Sequence, residues 1–106
     1  MDLKDIKELA VHYRARLIKS RINPSVIVLF GSYATNCARP DSDIDLAVVA
    51  KNLGRDRVKE TIKLNTIAHE VDIRLEVVPV GYFDYMKSET TSPILDQIFK
   101  TGIVLL

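Results

Sequence analysis

An α/β domain with one small sheet is what this sequence predicts, on three observations. At 106 residues it has length for a single domain with a single buried core, residues 1–106. Apolar residues make up 47% and charged residues 27%, ordinary proportions for a globular chain. Amphipathic stretches of helical period alternate with short apolar runs of strand length, giving the order α-β-α-β-α-β-α.

The elements follow in order. Residues 2–20 read as a helix, because Leu3, Ile6, Ala10, Tyr13 and Leu17 recur at steps of three and four. Arg21-Ile22-Asn23-Pro24 stops it. Val26–Phe30 is a buried strand, followed by a Gly31-Ser32 turn and a short helix over Tyr33–Ala38. Arg39-Pro40-Asp41-Ser42 is a loop, since Pro lacks a donor and restricts the residue before it. A second strand covers Ile44–Ala50, and Asn52-Leu53-Gly54 turns the chain. A helix is expected over Arg55–His69, then a strand over Val71–Val78. In that strand Ile73, Leu75 and Val77 face one way and Asp72, Arg74 and Glu76 the other, with Pro79 closing it. Residues 80–87 form a helical turn. Ser92 caps a last helix with Pro93 at its first position and Ile94, Leu95, Ile98 and Phe99 as its buried stripe. Gly102 ends that helix, and Ile103–Leu106 adds an edge strand or an apolar tail that, left exposed, would mark an interface.

Composition excludes several functions. No apolar stretch is long enough for a membrane span, and the mixed-charge start is not a signal peptide. A lone Cys37 excludes an internal disulfide and the common zinc layouts, so the cytoplasm is the expected compartment. A net charge of +1, with Lys and Arg scattered among acids, argues against strong nucleic-acid binding.

The chemistry concentrates in GSYATNCARPDSDIDLAVV, residues 31–49. Side chains at i and i+2 of a strand share a face, so Asp43 and Asp45 lie side by side where a buried strand begins. Two such carboxylates repel and take raised pKa values unless a cation lies between them. Hard divalent cations such as Mg²⁺ take oxygen ligands, typically one or two carboxylates plus substrate phosphates. Gly31 allows close backbone approach, and the N–H groups after it attract phosphate, as does the Ser32 hydroxyl. Arg39 and Ser42, in the loop between the motifs, are further candidates for phosphate contact. Either half alone is usually just a turn. Together, with the intervening spacing fixed, they match by chance in on the order of one chain of this length in several hundred.

That run resembles the signature of the DNA polymerase β-type nucleotidyltransferase superfamily, and its spacing is similar to that of the small prokaryotic minimal nucleotidyltransferases. Val71-Asp72-Ile73-Arg74-Leu75 resembles the polymerase β strand that carries a third catalytic aspartate. The resemblance implies a nucleotidyltransferase fold, a small mixed sheet flanked by helices. It also implies Mg²⁺-dependent transfer of a nucleoside monophosphate, with two metal ions, from an NTP to a hydroxyl. Asp43 and Asp45 would bridge the metals, with Asp72 as the third carboxylate and metal ligand. Glu76 is the other candidate, four residues on and about 13 Å farther along an extended strand, so both cannot serve one metal pair. The family further implies AMP from ATP as the transferred group, and an antitoxin role beside a HEPN-type protein partner that carries the acceptor. Self-association is the other route to completing so small a chain. The alternative is a binding module that keeps the fold and neutralises a partner without chemistry. An Asp-x-Asp glycosyltransferase would leave the Gly-Ser half unexplained and needs a larger domain.

Overall fold

In the computed structural model, which describes residues 1–87 and 92–106, the first apolar stripe forms helix α1 over Leu3–Lys19. Asp2 caps it: its carboxylate accepts the Asp5 amide at 2.9 Å, while the Asp5 carboxylate accepts the Asp2 amide at 3.1 Å. This reciprocal pair satisfies two donors that a helix start otherwise leaves orphaned. Ile6, Ala10, Tyr13 and Leu17 are buried as the spacing requires, while Leu3, in the first turn, stays 48% exposed. Arg21 adopts a left-handed φ of 65°, and the Ile22 amide reaches back to the Leu17 carbonyl at 2.9 Å, which turns the chain toward the sheet.

Strand β1 covers Val26–Phe30 and pairs antiparallel with β2, Ile44–Ala50, in a register that sets Val28 against Ala47 and Phe30 against Asp45. The segment joining them is not the short helix expected over Tyr33–Ala38 but a single helical turn. Asn36 at φ 59° ends it, and the Cys37 amide closes on the Ser32 carbonyl at 2.8 Å. A left-handed residue at that place stops a helix whatever the propensity of its neighbours.

Helix α2 spans Arg57–Val71, later at both ends than the expected Arg55–His69. Asp56 caps its start, and the Glu60 carboxylate folds back onto the amides of Gly54, Arg55 and Asp56 at 2.8, 3.1 and 3.1 Å. Strand β3 is Leu75–Gly81, parallel to β2, rather than Val71–Val78. Asp72 caps α2 and binds Arg74, so the alternation of Asp72 and Arg74 belongs to a turn and never enters the strand. Pro79 sits inside β3 instead of closing it, because β3 is an edge strand. Its outer edge is dressed by α2: Asn65 exchanges two hydrogen bonds of 2.8 Å with the Val77 backbone, and His69 meets the Leu75 carbonyl at 3.0 Å. Two residues on from Val77, Pro79 presents no donor there at all. Edges blunted in this way resist pairing with a foreign strand.

Helices α3, Tyr82–Met86, and α4, Pro93–Thr101, follow, and β4, Ile103–Val104, pairs antiparallel with β1. The sheet order is β3-β2-β1-β4, mixed as the resemblance implied. The C-terminal run is not an exposed apolar edge. Leu105 is buried in the core, Ile103 and Leu106 are half-buried against it, and Val104 alone is exposed.

The period of two splits β2 between two faces. Ile44, Leu46 and Val48 enter the larger core with Tyr13 and Leu17 of α1 and Leu64 of α2, where the Tyr13 hydroxyl donates to the Leu64 carbonyl at 2.8 Å. Ala47 and Val49 enter a smaller core on the other face with Val28, Phe30, Val80 and Ile98 of α4. Each fully buried aliphatic side chain contributes roughly 1.5–3 kcal/mol. Asp45 belongs by period to that second face, at the rim of the smaller core beside its cross-strand partner Phe30. Among the described residues, no helix is long and apolar enough to cross a membrane.

Candidate active site

The site is built where β1 ends and β2 begins. Gly31 has φ +74°, and a Cβ there would stand 3.0 Å from Asp45 Cγ and 3.2 Å from Asp45 Cβ. Only glycine both adopts that backbone and lets the Asp45 carboxylate lie against the turn. The turn after Gly31 spends its carbonyls and not all of its donors. The Gly31 carbonyl accepts the Ala34 amide at 3.1 Å and the Ser32 carbonyl accepts the Cys37 amide. The amides of Ser32 and Tyr33, and the Ser32 hydroxyl, find no acceptor among the described residues. Adjacent backbone donors without an internal acceptor are receptive to an anion.

Asp43 is exposed just before β2, and Asp45 is half-buried within it. Between them the Ile44 amide donates to the Arg74 carbonyl at 2.8 Å, which fixes the backbone there; Asp45 lies by period on the smaller-core face, near enough to Asp43 for the two charges to act on each other. Glu76 is paired with Asp45 across the parallel strands and shares that face. The Asp45 carboxyl is pushed above the ordinary carboxylate range, first by burial and then by the negative charges of Asp43 and Glu76.

Asp72 stands elsewhere. As the C-cap of α2 it accepts the Arg74 amide and the Arg74 Nε at 2.9 Å each, and Nη2 at 2.7 Å. The guanidinium holds its carboxyl below the ordinary range, against an opposing push from burial. Its lone pairs are engaged inside the turn, so the geometry brings Asp43, Asp45 and Glu76 together and leaves Asp72 outside. The Ser42 hydroxyl accepts the Arg39 amide at 2.8 Å and closes the loop, while the exposed Arg39 guanidinium has no ion pair among the described residues. The sequence signal that separates Glu76 from Asp72 is the Asp-x-Arg spacing, which favours a local side-chain-to-backbone bond two residues on.

Hard carboxylate oxygens beside unspent amide donors fit a divalent cation that arrives with phosphate. Among the described residues, no three His, Cys, Asp or Glu side chains close tightly enough to hold a metal ion alone. The donor set therefore suits Mg²⁺, which is held by one or two carboxylates and completed by substrate oxygens and water, rather than a closed protein cage.

The family model "Polymerase beta, Nucleotidyltransferase" matches residues 14–106. Two solved structures share the fold. One is a toxin–antitoxin with AMP-PNP, at a TM-score of 0.64 and 23% identity, with 94% of this chain and 72% of that chain covered. Another is a mutant of the toxin–antitoxin MntA-HpeT in which two aspartates, two positions apart, become glutamates; its TM-score is 0.59 and identity 22%, covering 87% of this chain and 68% of that chain. No curated protein matches. With the family model spanning most of its length and a Gly-Ser turn set against paired acids, this chain belongs to the polymerase beta nucleotidyltransferase family.

Proposed function

We propose that this chain, as one domain over residues 1–106, transfers AMP from ATP to a hydroxyl on a HEPN-type partner, in a toxin–antitoxin-like pair in the cytoplasm. The observation that carries the chemistry is the juxtaposition of Asp43, Asp45 and Glu76 on one face, with Asp45 packed against the Gly31 turn. Asp43 and Asp45 would hold Mg²⁺, and Glu76, rather than Asp72, would be the third carboxylate. When bound, the divalent cations neutralise charge on the attacking and leaving oxygens of an in-line displacement.

The chain's own residues do the rest. The Ser32 and Tyr33 amides and the Ser32 hydroxyl bind triphosphate oxygens, with Gly31 giving them access. Arg39 reaches phosphate from the loop, while Ser42 shapes that loop. The acceptor oxygen bonds to the α-phosphorus as the bond to pyrophosphate breaks, and the acceptor proton passes to a carboxylate of the cluster, with Glu76 best placed on the open side. A fold shared with two toxin–antitoxin structures, one of them holding AMP-PNP, supports an adenine nucleotide and a protein acceptor.

The test is incubation with labelled ATP, Mg²⁺ and a HEPN-type partner. Label is expected on the partner with the wild type and none with Asp43→Asn. Protection against the partner's toxicity without any label, equal in Asp43→Asn, would establish the non-catalytic binding module instead.

A further inference from the structure

The connector between α2 and β3 is fastened more firmly than a three-residue link requires. Asp72 takes three donors from Arg74, two of them from the guanidinium in a forked arrangement. The Asp72 carbonyl accepts the Leu75 amide at 3.1 Å, and the Arg74 carbonyl accepts the Ile44 amide at 2.8 Å. That last bond ties the connector to the one residue lying between Asp43 and Asp45. Ile44 pairs with Leu75, so the next pair along is Asp45 with Glu76.

We propose that Asp72 and Arg74 are positioning residues for transfer: their clasp sets where the first residues of β3 stand against β2, and so where the Glu76 carboxylate meets Asp45. This rests on the reading of Glu76 as the third carboxylate. Burial of Leu75 and Val77 already opposes a slip by one residue, which would send Glu76 to the covered face. It does not fix placement to a fraction of an ångström at the strand's first residues, where an edge strand frays. Asn65 holds β3 from Val77 onward, and His69 reaches the Leu75 carbonyl. Ahead of Leu75, the tie to β2 is the Arg74 carbonyl on the Ile44 amide, and the Asp72–Arg74 clasp fixes the backbone that presents that carbonyl. The clasp's charge-assisted, forked bonds are directional as well as strong, which is what placement needs. The side-chain exposures of 39% for Arg74 and 17% for Asp72 put the pair at the rim of the molecule, where it is shielded from water on one side.

The test measures kcat and KM for ATP in the labelling reaction with the partner, at saturating Mg²⁺ and well below each variant's melting temperature. Asp72→Asn and Arg74→Ala are each expected to lower kcat about 10- to 100-fold, the cost of a misplaced reacting group, with KM within about twofold. Their double variant should be no slower than the slower single, and Asp72→Asn should add nothing further in a Glu76→Gln background. Arg74→Lys, which keeps the charge and loses the fork, should fall between wild type and Arg74→Ala. A low kcat for Asp72→Asn beside a wild-type kcat for Arg74→Ala would overturn the proposal and make Asp72 act directly. Wild-type kcat in both would also overturn it. A wild-type kcat in Glu76→Gln would sink the assignment beneath it, and is read from that variant alone.

Discussion

Asp45→Asn is expected to abolish transfer and, at the same time, to raise the melting temperature of the ligand-free protein. Burial and the charges of Asp43 and Glu76 all push the Asp45 carboxyl above its ordinary value of 3.8. A raised folded-state pKa means that the folded chain holds this proton more tightly than the unfolded chain. The resulting stability is fully present below 3.8 and is lost as pH rises through the raised folded value. At neutral pH the wild type therefore carries an unfavourable ionised group that asparagine removes. Melting curves from pH 3 upward should show the wild type losing stability relative to Asp45→Asn across that window, then running parallel to it. Transfer should fall on the order of a thousandfold or more, the scale reached when one member of a unit that stabilises transition-state charge is lost. Mg²⁺ with a non-hydrolysable ATP analogue should raise the wild-type melting temperature and leave the variant unmoved, since only a bound ligand stabilises by mass action. A variant that is less stable than wild type at pH 7 would contradict the crowding of like charges at this position.

Gly31→Ala is expected to damage both fold and activity. The added methyl would meet the Asp45 carboxylate at the point where Gly31 now leaves space, with Cγ only 3.0 Å away. The position also demands φ +74°, which alanine adopts at a cost of roughly 1–3 kcal/mol. For a domain of this size each kcal/mol lowers the melting temperature by about 4–8 °C. Because the collision partner is Asp45 itself, the carboxylate must move, and a displacement of about 1 Å lowers transfer about a hundredfold. Gly31→Ala/Asp45→Ala should recover part of the lost stability, leaving only the backbone strain. If Gly31→Ala melts and reacts as wild type, the packing of Asp45 against the turn is not what shapes the site.

The parts of the fold carried by periodicity are legible in the sequence. The burial of Ile6, Ala10, Tyr13 and Leu17, the limits of β1 and β2, and the Ser92–Pro93 start of α4 all follow from spacing and capping chemistry. What is lost depends on bonds that periodicity does not encode. Asn36 ends a helical turn through its backbone conformation, and Asp72 imitates a strand position while bonding to Arg74. Pro79 is tolerated because β3 lies at an edge, a fact of topology rather than of local sequence. The Gly31, Asp43 and Asp45 half of the site is legible because it is local in the chain. Where Asp72 and Glu76 stand relative to Asp45 is less legible, because it depends on the parallel register between β2 and β3, for which the Asp-x-Arg spacing is only a local hint.

The central claim is that paired acids beside the Gly31–Ser32 turn form one site for a divalent cation and a nucleoside triphosphate together. Isothermal calorimetry of ATP binding, with and without Mg²⁺, tests it on the wild type and on Asp43→Asn/Asp45→Asn. The expected result is binding that requires Mg²⁺ in the wild type and is absent in the double variant under both conditions. Binding of equal strength in the two proteins, indifferent to Mg²⁺, would contradict it.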